Sequence, residues 1–305
     1  MSFFKTKQRK AYFLALTAVI FWSTMSSAFK LTLRQISYDE LLLFSSFFGV
    51  IALGGINHLG KNRISFSKLK GSEILSSALM GFLNPFLYYL VLFKAYELLE
   101  AQIAGTLNYA WPVVLVLLSI PLLKQKIKSI SLLAILISFF GLVVISTRGN
   151  FLSFSDTNPY GVILAVGSAF IWAFYWILNL KDHREDTSKI LLNLIFGFLY
   201  ILIYNILIHG SINLPGAIAL TGAAYIGIFE MSLTFVIWLN ALKYSSDTAK
   251  VSNLIYLSPF LALFIIRIFV GEKIHLSTIL GLGIIITGII LQQAITRLNR
   301  KQKQL

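Results

Sequence analysis

Cysteine is absent from the 305 residues, so disulfides, thiolate metal sites and cysteine nucleophiles are all excluded. Charge is scarce as well. Only 12% of residues are charged, against roughly a quarter in an ordinary soluble domain. The four histidines (His58, His183, His209, His275) lie far apart, and no two have the spacing of metal ligands. No Walker A sequence, GxSxG elbow or other catalytic constellation occurs, so neither ATP hydrolysis nor a membrane hydrolase is expected. No metal and no cofactor is implied, and the chain does not read as an enzyme.

What is abundant is apolar sequence. Hydrophobic residues make up 57%, and mean hydropathy is +0.80. A membrane-crossing helix needs roughly 20 mostly apolar residues. Ten such stretches can be marked, near 11–29, 40–59, 73–95, 101–121, 129–147, 160–180, 189–208, 216–241, 248–269 and 276–296. None alternates with the period of a barrel strand. The expected fold is therefore an all-α polytopic membrane protein in a lipid bilayer, and the first stretch reads as a retained span rather than a cleaved leader.

The formal charge of +14 would suggest nucleic acid in a soluble protein, but here it is a sign of orientation. Taking alternate sides of the ten spans, and leaving out Lys94 and Arg267 inside span ends, one side holds 20 lysines and arginines and the other 4. By the positive-inside rule both termini are cytoplasmic, in a plasma (inner) membrane protein, with no nucleic-acid partner.

The sequence also resembles itself. At an offset of 147, Tyr109 meets Tyr256, Pro112 meets Pro259, Lys126-Ile127 meets Lys273-Ile274 and Gly141 meets Gly288. At 150, Trp22 meets Trp172. Two five-helix repeats are expected, 11–147 and 160–296. An odd number of helices forces the second to enter the membrane inverted relative to the first. Inverted repeats are typical of secondary transporters, with substrate held near the midplane between the halves.

Candidate site residues follow from that geometry. Glu230 is the acidic residue near the centre of a span, where an ionisable group is costly and by default functional. It would carry a proton or face a cationic group on a small-molecule substrate. The alternative is a hydrogen-bonded helix contact. At an offset of 146 its repeat partner is Asn84. Pro112 and Pro259 fall inside spans as a related pair of helix kinks. Around them stand Asn108, Tyr109, Trp111 and Tyr256, with Tyr88, Trp22 and Trp172 on neighbouring spans. Their aromatic faces suit a partly apolar or cationic substrate, although aromatic residues also gather at membrane interfaces. Asp247 reads as a helix N-cap, and Glu97 and Glu100 as solvated loop residues.

Over nearly its whole length, about 11–296, the chain resembles the drug/metabolite transporter superfamily in its EamA-type branch. Phe21-Trp22-Ser23-Thr24-Met25 is similar to the WST signature of bacterial aromatic amino acid exporters in that branch. Leu107-Asn108-Tyr109-Ala110-Trp111-Pro112 is similar to their NYLWP stretch, and Phe170-Ile171-Trp172-Ala173-Phe174-Tyr175 to their FIWAAY. Span eight departs from them, reading Phe229-Glu230-Met231-Ser232, a carboxylate where those exporters carry neutral residues. The resemblance implies ten helices in two inverted repeats and efflux of a small organic metabolite, most simply an amino acid or related compound. An uncoupled facilitator or channel, or a drug, purine or nucleotide-sugar carrier, would share the fold.

Overall fold

The computed structural model describes residues 7–60, 69–124, 129–150, 157–179, 181–245, 251 and 253–302. The Lys126-Ile127 match and the Asp247 cap lie outside them. Ten helical segments follow one another: α1 Lys7–Thr32, α2 Tyr38–Leu59, α3 Gly71–Leu98, α4 Ala101–Leu122, α5 Ser129–Ser146, α6 Pro159–Asn179, α7 Asp186–His209, α8 Ala217–Tyr244, α9 Asn253–Val270 and α10 Leu276–Gln302. Eight of these, all but α5 and α10, are long and apolar enough to cross a membrane. The described parts of α5 and α10 hold the shorter apolar helices Leu133–Ser146 and Leu276–Leu291.

The helices are apolar outside as well as inside, unlike those of a soluble protein, and some of the buried residues are polar. Large side chains such as Phe13, Ile51, Ile203, Phe264 and Phe269 are exposed, while Ser23, Ser45, Ser77 and Ser168 are fully buried. Hydrocarbon gives apolar side chains no reason to hide. Helices there associate through small residues that let backbones approach.

The packing obeys a two-fold relation. α1 lies on α8 and α9, and α6 lies on α3 and α4. α2 packs on α8 as α7 packs on α3, while α2 meets α7 and α5 meets α10 across the relation itself. The first helix of each half thus rests on the other half. Glycines mark the closest approaches. A Cβ on Gly81 would strike the Asn193 carbonyl oxygen, Gly197 and Phe196. One on Gly227 would strike the Ser45 carbonyl oxygen, Gly49 and Phe48. These are the same contacts at offsets of 146 and 148.

Connections between helices sort into two ends. At one end Lys30, Arg34, Glu100, Arg148, Glu272 and His275 bond one another or the nearby backbone. At the other, Arg184 holds Asp182 and reaches the Glu73 carbonyl, and Lys189 and Lys243 pair with Asp186. The bonds keep to this division, as helices that each cross the full thickness require. The Asp182 carboxyl is pushed up by burial, but its hydrogen bonds from Arg184 more than offset this and hold it below its ordinary value.

Four helices are interrupted. α3 and α8 carry π-helical segments at Phe82–Leu87 and Ile226–Leu233. α4 turns at Tyr109 and Ala110 before its second segment begins at Trp111, and α9 opens as a 3-10 helix at Asn253–Leu257 before Ser258. Pro112 and Pro259 are therefore not simple mid-helix kinks. Each stands at the second position of a new helical segment, where its missing N–H leaves little unsatisfied.

Candidate functional site

The interruptions surround a cavity of about 710 Å³ bounded by both halves of the chain. Its lining runs from Gln102 and Thr106 at one end to Asp182, Asp186 and Lys189 at the other. Trp22, Tyr88, Asn108, Tyr109, Trp111, Trp172, Glu230 and Tyr256 all line it, as do Pro112 and Pro259.

Asn84 stands apart. It lines a small neighbouring cavity of about 20 Å³ with Tyr175, Asn179 and Asn193, where the three amides surround the Tyr175 hydroxyl. The reason is local. A residue before proline is driven out of the helical region, and Asn84 adopts φ −148°, ψ 118° inside the π-helical segment. Its repeat partner Glu230 precedes methionine and lines the large cavity.

Aromatic rings form much of the wall. Trp172 stacks on Tyr88 with centroids 4.6 Å apart, and meets Trp176 at 5.8 Å and Phe235 at 5.9 Å. Trp22 meets Trp238 edge-on at 5.4 Å and Phe235 at 6.0 Å. Phe235 and Trp238 did not stand out in the sequence, because 14% of the chain is aromatic. The Asn108 side-chain oxygen accepts from the Tyr88 hydroxyl at 3.3 Å, and its amide donates to Ser168 at 2.8 Å.

Tyr109 has a structural duty beside its place in the wall. In a continuous α-helix residue 259 would donate to the Ile255 carbonyl, which proline cannot do. The Tyr109 hydroxyl donates to that carbonyl instead, at 2.7 Å, tying α4 to the interruption in α9. Tyr109→Phe should lower stability by about 0.5–1.5 kcal/mol, the net worth of one hydrogen bond whose acceptor borders the cavity. Adding Pro259→Ala, which restores a backbone donor, should recover part of that loss. Thermal unfolding of the purified variants reads both effects, and equal melting of Tyr109→Phe and wild type would contradict the assignment.

Glu230 is the ionisable group at the middle of the wall. Its Oε1 accepts from the Tyr89 hydroxyl at 3.0 Å, and Oε2 is buried with no hydrogen-bond partner among the described residues. Tyr89, 1% exposed, is a site residue that sequence patterning missed. Its spacing from Glu230 in the chain offers no signal.

At the Gln102 end the cavity meets a polar latch. The Glu272 carboxylate, between α9 and α10, accepts from the backbone N–H groups of Ala101 and Gln102 at 2.7 and 3.1 Å, and so caps α4. Gln102 is 1% exposed. It accepts from the His275 N–H and the Thr278 hydroxyl, and donates to Glu100 and the Lys273 carbonyl. Glu100 is no freely solvated loop residue. It also bonds Arg148 at 3.0 Å and His275 at 2.9 Å. Glu97 pairs with Lys94. The latch joins the start of α4 in the first half to the α9–α10 turn in the second.

Four interrupted helices, a carboxylate in the middle of α8 and a cavity bounded by both halves of the chain are the parts of a carrier. The model of the EamA-like transporter family matches residues 9–147 and again 159–292. The chain belongs to the EamA-like transporter family. An "Uncharacterized transporter" of Clostridium kluyveri is 25% identical over 293 residues, covering 93% of each chain. The "Uncharacterized inner membrane transporter YhbE" of Escherichia coli K12 is 25% identical over 261 residues, covering 82% of this chain and 78% of that protein. One crystal structure superposes with a TM-score of 0.66 at 19% identity, over 94% of this chain and 97% of the other, a likeness of fold alone. This EamA-like protein is thus a multi-pass membrane transporter of small molecules and not an enzyme.

Proposed function

We propose that the protein is a secondary carrier exporting a small organic metabolite, an amino acid or related compound, from the cytoplasm by alternating access. The observation that carries this reading is the cavity of about 710 Å³ lined by both halves, latched at one end by Glu272 and Gln102. Segments 11–147 and 160–296 act as the repeats that rock against each other. The charge bias sets both termini in the cytoplasm of the plasma membrane, so the latch closes the outer end and the Asp186 end is the cytoplasmic mouth. Export follows the resemblance of 21–25 and 107–112 to exporters.

Trp22, Tyr88, Asn108, Tyr109, Trp111, Trp172, Glu230 and Tyr256 then form the substrate site, with Pro112 and Pro259 at its moving joints. Asn84 belongs to the site through α3 rather than by direct contact. Glu230 couples the cycle by binding either a proton or the positive group of the substrate, because an unneutralised carboxylate is costly at that depth. Transport into proteoliposomes tests this, with labelled amino acids, amines and purines and with or without a pH gradient. Saturable movement that answers to the gradient in wild type but not in Glu230→Gln is the expected result. A response to the gradient unchanged in the variant removes Glu230 from coupling, and absence of movement for the whole panel removes the carrier reading.

A further inference from the structure

Resting on the carrier reading, and narrowing its substrates from amino acids and related compounds to the related amines, we infer that the cavity selects an organic monocation, an apolar or aromatic body bearing one amine, and discriminates against the corresponding amino acid zwitterion. The charge of the wall points this way. Its ionisable acids and bases are Glu230 at mid-depth and Asp182, Asp186 and Lys189 at one end. Lys189 is already bound to Asp186 at 3.0 Å and to the Asp182 carbonyl at 3.1 Å, so it offers an incoming carboxylate little. Arg184 is likewise held by Asp182. No basic side chain among the described lining residues stands beside Glu230.

Backbone donors could replace a basic side chain, as they do where a helix N-terminus receives an anion. At the α4 interruption four of them are taken. The N–H of Tyr109 goes to Gly105, that of Ala110 to Leu107, and those of Val113 and Val114 both to Ala110, while Pro112 has none. The Asn108 amide is engaged by Ser168. A substrate carboxylate would find no positive charge here to repay its lost hydration.

A cation meets the opposite conditions. Glu230 supplies the negative charge, with one oxygen free of any hydrogen-bond partner among the described residues. The indole rings of Trp22, Trp176 and Trp238 line the same wall, and their quadrupoles favour a positive group lying over a ring face. Both forces grow as water is excluded.

The test compares three probes that share a body and differ in charge: phenethylamine, phenylalanine and 3-phenylpropionate. Binding to the purified full-length protein is measured by calorimetry at neutral pH. The amine should bind at least tenfold more tightly than either other probe. Glu230→Gln should lose at least tenfold in amine affinity, and Glu230→Asp, which keeps the charge, should lose less. Because any of these variants could misfold, each is first required to elute as a single species, and Trp176→Leu serves as a second variant that should weaken the amine without touching the carboxylate. The inference is overturned if phenylalanine binds as tightly as the amine, if Glu230→Gln keeps the amine affinity, or if none of the three binds. None of these results touches the carrier reading, which stands or falls on movement of the broader panel in proteoliposomes.

Discussion

Gly227→Val should be among the most damaging single substitutions in the protein. The Gly227 backbone lies against α2, and a Cβ there would occupy the space of the Ser45 carbonyl oxygen, with Gly49 and Phe48 close behind. Neither obstacle is the movable tip of a side chain, so relief requires α2 and α8 to separate along their whole contact. Overpacking a tight interior commonly costs about 1–3 kcal/mol. A clash of backbone against backbone, with two bulky γ carbons added, belongs at or beyond that upper end. Stability should fall by at least about 3 kcal/mol, with loss of monodisperse protein in detergent. Gly81→Val should do the same against α7, since it faces the Asn193 carbonyl oxygen and Gly197. Gly167→Ala is the control, because nothing lies within 4 Å of a Cβ at that position. Thermal unfolding of the three variants checks the contrast. If Gly227→Val and Gly167→Ala melt alike, the two-fold packing described for α2 and α8 is wrong.

Glu272→Ala should release the latch without disturbing the rest of the fold. It removes both carboxylate bonds to the start of α4, together with a favourable charge at a helix N-terminus. A hydrogen bond to a charged group is worth roughly 1.5–3 kcal/mol when well buried. Glu272 is half-buried and water can replace it, so a total near 1.5 kcal/mol is more realistic, a population shift of about tenfold. The chain contains no cysteine, so a reporter can be introduced without clearing a background. Thr106 lines the cavity below Gln102 and is 2% exposed. Thr106→Cys should react slowly with an impermeant maleimide applied at the Glu272 end, and several-fold faster once Glu272→Ala is added. Glu272→Gln, which keeps one acceptor, should fall between. Equal reactivity in all three would show that Glu272 caps a helix but latches nothing.

The parts of this architecture that the sequence discloses are those written in local pattern. Twenty-residue apolar runs identify helices whatever their neighbours do, and a carboxylate at mid-span is conspicuous because it is expensive. Pro112 and Pro259 betrayed the repeat through their shared offset. The structure gives the pair a different meaning, the start of a new helical segment rather than a bend in an old one. Gly81 and Gly227 share the 146-residue offset of Asn84 and Glu230 and would have shown the close contacts, but glycine is common in apolar helices.

Other features depend on partners far away in the chain. Glu272 meets Ala101 across 171 residues, and Tyr89 meets Glu230 across 141. No periodicity encodes such a meeting. Asn84 illustrates a third kind of limit. Its depth was legible from the repeat, whereas the direction of its side chain follows from the extended backbone forced by Pro85, which sends it to Tyr175 and away from the large cavity.

A cavity that opens at its two ends in turn must respond in opposite directions at those ends. Reporters near each end in separate proteins, Thr106→Cys and Leu239→Cys, both on the cavity wall, read this. Each is labelled in proteoliposomes from its own side, with and without Glu272→Ala. Opposite changes are expected, with Thr106→Cys labelling faster and Leu239→Cys more slowly when the latch is released. Faster labelling at both positions together would mean a continuous pore, and would contradict alternating access.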